Sequence, residues 1–216
     1  MKEQILKELE INDLRKQLVN HQFFQNVKKD PLTKKKVEFF LSQYYYPINY
    51  FTYFLSKLIS ILPTIEMQTF VSKILWQELG EGNPDNAHLT LFISTMKNIG
   101  FVKDSIVNAK SLTETDQLVN GYKDSTNDYL TGLGFLYGTE VIDITIVQGL
   151  GEAVSKVTGE KNLPWVEIHI KQEPDHVDSS ERTLKYSFTE KEKKIVIQSA
   201  EKMWRLWINF FTAIDK

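Results

Sequence analysis

The stretch EIHIKQEPDHVD, residues 167–178, places two of the chain's four histidines seven residues apart with a carboxylate between them. His169, Glu173 and His176 stand at i, i+4 and i+7, so on a helix their side chains share one face. A helix face built of imidazole and carboxylate calls for something to bind it. The other histidines and acids of the chain decide whether such a ligand exists.

His88 lies in WQELGEGNPDNAHLTLF, residues 76–92. Thr64 and Glu66 open a helix that reaches Leu79 and stops at Gly80 and Gly82. Pro84 is at the expected first position of the next helix, which ends near Gly100. A short turn between two helices brings the end of one beside the start of the next, so Glu78 or Glu81 can converge with His88. Glu140 lies in FLYGTEVIDITIVQGL, residues 135–150, among apolar and small neighbours. A carboxylate in such company needs a partner, because burying it alone costs several kcal/mol.

Together these positions supply three imidazoles and three or four carboxylates from at least four helices. That is the ligand inventory of a non-haem di-iron or di-manganese site inside a helix bundle. Oxygen and imidazole donors without thiolate suit Fe(II) or Mn(II), whereas zinc takes a smaller set. Taken singly, each residue has an ordinary reading as a solvated surface group. The coincidence carries the metal reading, because three of four histidines fall in carboxylate-flanked helical contexts.

Apolar residues recur at helical spacing along nearly the whole chain, and period-2 alternation is scarce. We read seven or eight helices in one all-α, bundle-like domain spanning residues 1–216. The first runs from Lys2 to His21 and on to Lys28, ending at Asp30-Pro31. The second spans Thr33 to Leu62 with a kink at Pro47. Further helices cover Thr113 to Asp124, Asp128 to Thr158 and the 167–178 motif. The last opens at Thr189 with Glu192 as a capping box. Residues 101–112 and 177–188 read as loops.

The 216 residues include 42% apolar and 25% charged side chains, with a formal net charge of −2 and a pI near 6.1. This balance argues against general binding to nucleic acid or anionic membrane. Cysteine is absent, which removes disulfides, thiolate metal sites and a cysteine nucleophile. The amino-terminal MKEQILKELEINDLRKQL has no apolar core of a signal peptide. No run reaches about 18 apolar residues, so no membrane span is expected and a cytoplasmic location follows.

ELGEGNPDNAHLTLF, a lone helical Glu140 and then EIHIKQEPDHVD resemble the haem-oxygenase-like di-iron oxidases and oxygenases. This family of iron-containing redox enzymes is related to the chlamydial protein associating with death domains and to the TENA/PQQ-C-like fold. The resemblance extends over nearly the full chain, including FFLSQYYYPINYFTYFL, residues 39–55. It implies a haem-oxygenase-like bundle of about seven helices that binds no haem. It implies two iron ions, with manganese as a substitute, held by Glu78, His88, Glu140, His169, Glu173 and His176. The expected activity is O2-dependent oxidation of a small amino acid, amine or fatty-acid-like substrate, with an external electron donor and a homodimeric state.

Three departures stand out. Glu173 replaces the usual aspartate, and Pro174 after it disfavours helical geometry, so Asp175 competes as a ligand. Glu81 is an additional carboxylate. A tyrosine and a lysine used by the p-aminobenzoate-forming branch are replaced by Phe24 and a position near Leu150, so that synthesis is not expected. Tyr44, Tyr45, Tyr46, Tyr137 and Trp76 are candidate pocket walls. Arg182, Lys185 and Arg205 are candidate anchors for a substrate carboxylate. Trp204 and Trp207 belong either to the core or to a dimer surface. Two competing readings are a haem binder using His21 and a non-catalytic interaction protein of the same fold. The thiaminase-like branch needs a cysteine that this chain lacks.

Overall fold

The computed structural model describes residues 4–216, so the expected helix start at Lys2 lies outside them. Among the described residues the chain forms eleven α-helices and one 3-10 turn, with no strand. The helices are α1 (Gln4–Glu10), α2 (Asp13–Val19), α3 (Gln22–Lys29), α4 (Lys34–Ile61), α5 (Ile65–Glu78), α6 (His88–Asn98), α7 (Lys103–Val107), α8 (Thr113–Ser125), α9 (Tyr129–Thr158), α10 (Pro164–Leu184) and α11 (Glu190–Ile214).

Local chemistry sets most of these boundaries. Thr33, Thr64 and Asp128 cap α4, α5 and α9 by accepting from the backbone N–H three residues on. Thr189 and Glu192 form the expected capping box of α11. The expected single amino-terminal helix is three helices. Asn12 accepts from the Leu14 N–H and opens α2, and the His21 Nδ1 accepts from the Phe23 N–H and opens α3. The expected loop at 101–112 contains α7, and α10 runs through most of the expected loop at 177–188.

The central helix is α9, buried on nearly every side. It packs on α4, α10 and α11, while α5 closes the layer against α4 and α10. Helix α8 fills the space between α4 and α11, and α1–α3 lie across α9–α11. By length and composition α9 could cross a membrane, but its most apolar window is 72% buried inside the bundle. That apolarity serves the core. Trp204 and Trp207 are both buried, so neither offers a dimer surface. The Trp204 indole N–H donates to the Gly138 carbonyl at 2.9 Å, tying α11 to α9.

The two helices touch almost backbone to backbone. A Cβ on Gly134 would lie 2.3 Å from the Val196 carbonyl oxygen and 2.6 Å from the Ser199 Cβ. This close approach fixes the depth at which α9 sits, and hence the position of the acidic face about two turns further along. Gly134→Ala should lower unfolding stability by about 1–3 kcal/mol, the usual cost of overpacking a rigid core. Equilibrium denaturation reads this directly, and an unchanged midpoint would contradict the close seam.

Candidate metal centre

Helix α10 delivers the opening motif intact. His169, Glu173 and His176 are all buried on its inner face. Pro174 sits inside the helix without ending it, so Glu173 keeps helical geometry. Two residues further on, the helix has turned by about 200°. Asp175 therefore faces solvent, 3.2 Å from the Lys73 ammonium, and not the interior.

The turn after α5 places the other half. Gly80, Glu81 and Gly82 all have positive φ, at 84°, 55° and 88°, a tight reversal for which glycine is suited. A Cβ at Gly80 would lie 2.1 Å from the Asn83 carbonyl oxygen. The reversal leaves Glu81 exposed and outside the cluster. Pro84 opens a 3-10 turn, Pro84–Asn86, rather than the helix itself. His88 is thus the first residue of α6, opposite the last residue of α5, Glu78.

Two adjacent groups result. Glu78, His88 and His169 form one, and Glu140, Glu173 and His176 the other. Within each, the candidate ligand atoms lie within 4.8 Å of one another. The Glu78 Oε1 joins them, 3.0 Å from the His88 Nδ1 and 3.7 Å from the His176 Nδ1. The His176 Nδ1 is also 3.4 Å from the Glu140 Oε2 and 4.0 Å from the Glu173 Oε2. The His88 and His169 rings are 4.4 Å apart between centroids.

Neighbours on α10 orient two of the imidazoles. The His169 Nδ1–H donates to the Trp165 carbonyl at 2.7 Å, which leaves Nε2 to face the cluster. The His88 Nε2–H donates to the Gln172 Oε1 at 2.8 Å, which leaves Nδ1 beside Glu78. Such partners set tautomer and ring direction in metal sites.

Sequence reasoning missed Asp143. It lies three residues after Glu140 on the same face of α9, and its Oδ2 is 3.9 Å from the His169 Nε2. The signal was present, since Asp143 shares the apolar surroundings that singled out Glu140.

These residues line or underlie one cavity. Glu78, His88, Glu140, Asp143 and His169 form its polar floor. Its walls are largely apolar and aromatic, including Tyr44, Ile48, Phe51, Leu89, Trp165 and Trp207. The Tyr122 hydroxyl donates to the Thr139 Oγ1 at 2.9 Å, because Thr139 spends its own proton on the Phe135 carbonyl. Of the aromatics expected as walls, Tyr44 lines the cavity. Tyr45 and Tyr46 are half-buried beside it on α4, and the Tyr46 hydroxyl donates to the Ala109 carbonyl. Tyr137 lines a separate cleft with Arg15 and Glu181. Trp76 is 54% exposed on the outside of α5. Arg182, Lys185 and Arg205 pair with Asp178, Glu181 and Glu201 one turn earlier on their own helices. The His21 ring uses both nitrogens locally, Nδ1 as the α3 cap and Nε2 with the Thr212 hydroxyl at 3.1 Å, which disfavours it as a haem ligand.

The electrostatics are those of a site short of positive charge. Burial pushes the Asp143 carboxyl up to about 7, helped by Glu140 and Glu78. Burial also raises Glu173, with Asp143 and Glu140 adding repulsion. Burial opposes ionisation of both Glu78 and His88, but their contact prevails, holding Glu78 down to about 2 and raising His88 to about 9. Burial and the neighbouring His88 lower His169 to about 3. The buried His88 Nδ1, Glu140 Oε1 and both Glu173 carboxylate oxygens lack a well-formed hydrogen bond. Divalent metal ions would satisfy these atoms, and the donor set is one that iron or manganese accepts.

Residues 38–208 match the family described as iron-containing redox enzymes, and the chain belongs to it. The fold is haem-oxygenase-like. A CADD-like protein of unknown function from Nostoc punctiforme superposes with a TM-score of 0.81 at 12% identity, over 99% of this chain and 94% of that one. A domain of unknown function with a haem-oxygenase-like fold from Shewanella denitrificans gives 0.74 at 16%, over 99% and 89%. A TenA homologue from Pyrococcus furiosus gives 0.73 at 17%, over the full length of both chains. No curated protein matches by sequence.

Metal binding must displace protons from this cluster. At neutral pH the metal-free chain holds them on His88 and partly on Asp143, and Glu173 is raised in the same direction. Affinity for Fe(II) or Mn(II) should therefore tighten with rising pH, and proton release should shrink as pH passes about 9, where His88 has lost its proton. Calorimetry in buffers of different ionisation enthalpy measures both. Binding without proton release at neutral pH would contradict the arrangement.

Proposed function

We propose that the chain is a non-haem di-iron oxidoreductase, with manganese able to replace one iron, that uses O2 to oxidise a small organic substrate. The observation that carries this is the pair of buried three-ligand groups joined by Glu78. Two iron ions held there would supply O2 binding and the electrons for its reduction.

The chain's own residues do the rest. Glu78, His88 and His169 would hold one ion, and Glu140, Glu173 and His176 the other. Trp165 and Gln172 keep two imidazoles turned toward the centre. The aromatic walls exclude water, which protects a reactive site from side reactions. Tyr44, Thr139 and Tyr122 place hydroxyl groups at or beside a cavity that is otherwise apolar. Among the described residues no lysine or arginine lines it. A substrate amine or alkyl chain is thus better matched than a group needing a protein cation, and a substrate carboxylate would have to meet the metals. An external reductant would close the cycle, and a homodimer is the assembly the family suggests.

Anaerobic titration with Fe(II), followed by O2 uptake with candidate amines and fatty acids, tests this reading. About two irons per chain and substrate-accelerated O2 consumption are expected. His169→Ala should reduce loading to about one iron per chain while leaving the helical fold intact by circular dichroism. Loading near two in that variant would count against the ligand set. Failure of the unaltered chain to bind iron would favour a non-catalytic interaction protein.

A further inference from the structure

We propose that Asp143 is a seventh protein ligand of the centre, a carboxylate shared between its two ions. The inference rests on the di-metal reading above and assigns a residue which that reading leaves unused.

Position is the first argument. Asp143 lies between the two groups. Its Oδ2 is 3.9 Å from the His169 Nε2 of the first, and its charge repels that of Glu173 in the second. It forms part of the cavity floor, whereas Glu173 and His176 do not line the cavity. Its side chain is only 19% exposed.

Charge is the second argument. Glu78, Glu140 and Glu173 bring three negative charges to two divalent ions carrying four positive ones. In a buried, aromatic-walled site the excess would go uncompensated, and Asp143 brings the balance to neutrality. The converse holds without metal. Among the described residues no lysine or arginine pairs with any of these four carboxylates. Their nearest opposite charges are the imidazoles of the same cluster. A largely enclosed aspartate held beside three other carboxylates with no lysine or arginine partner has no structural use that an asparagine would not serve better.

The test compares the unaltered chain with Asp143→Asn, which keeps the shape and loses the charge, and Asp143→Glu, which keeps a carboxylate. Three readouts are taken: anaerobic Fe(II) affinity, Mössbauer spectra of the 57Fe-loaded protein, and thermal unfolding with and without iron. Asp143→Asn should weaken one of two iron equivalents by about tenfold or more and alter the quadrupole splitting of the bound irons. It should also raise the metal-free melting temperature while shrinking the rise that iron produces. Asp143→Glu should recover part of the lost affinity. Unchanged affinity and spectra in Asp143→Asn would overturn the assignment. So would a less stable or unfolded metal-free Asp143→Asn chain, because that marks a structural carboxylate. An unaltered chain that binds no iron would instead remove the di-metal reading itself.

Discussion

Four carboxylates gathered in the bundle interior, with no lysine or arginine beside them among the described residues, are the constraint on which this structure turns. Each would cost several kcal/mol if ionised alone in an apolar interior. Glu78 offsets part of this through His88, at 3.0 Å, and Glu140 through His176, at 3.4 Å. Glu173 has no well-formed hydrogen bond to either oxygen. Three imidazoles, one of them held neutral by burial, cannot balance four negative charges. A pair of divalent ions would balance them, and would account for this much polarity at the centre of a bundle.

The rest of the fold serves to hold that cluster in place. Gly134 lets α9 sink against α11, which fixes the depth of Glu140 and Asp143. The left-handed run at Gly80–Gly82 reverses the chain so that Glu78 and His88 face each other across two helix ends. Helix α10 contributes three of the candidate ligands and, through Trp165 and Gln172, the hydrogen bonds that aim two imidazoles. Loss of any one of these would leave the ligands present but misaligned, which is the usual way a metal site fails.

Much of this was legible in the sequence, for identifiable reasons. The i, i+4, i+7 spacing of His169, Glu173 and His176 depends only on helical periodicity, and Pro174 removes one hydrogen bond without ending a 21-residue helix. Caps at Thr33, Thr64, Asp128 and Thr189 depend on side-chain chemistry within one turn. What escaped was long-range or nearly so. Glu81 differs from Glu78 by a backbone sign change that sends it outward, and Trp76 faces solvent because α5 packs by another face. Asp143 shares the apolar run and the helix face of Glu140, but its approach to His169 arises only when α9 packs on α10. The amino-terminal breaks at Asn12 and His21 were hidden by continuous amphipathic spacing.

A dinuclear centre would divide its ligands between the two groups. Anomalous diffraction at the iron edge, from crystals loaded anaerobically with Fe(II), is the most direct test. Two peaks are expected, one bonded to Glu78, His88 and His169 and the other to Glu140, Glu173 and His176. A single peak, or iron bound only at surface carboxylates such as Glu81 and Asp175, would contradict it.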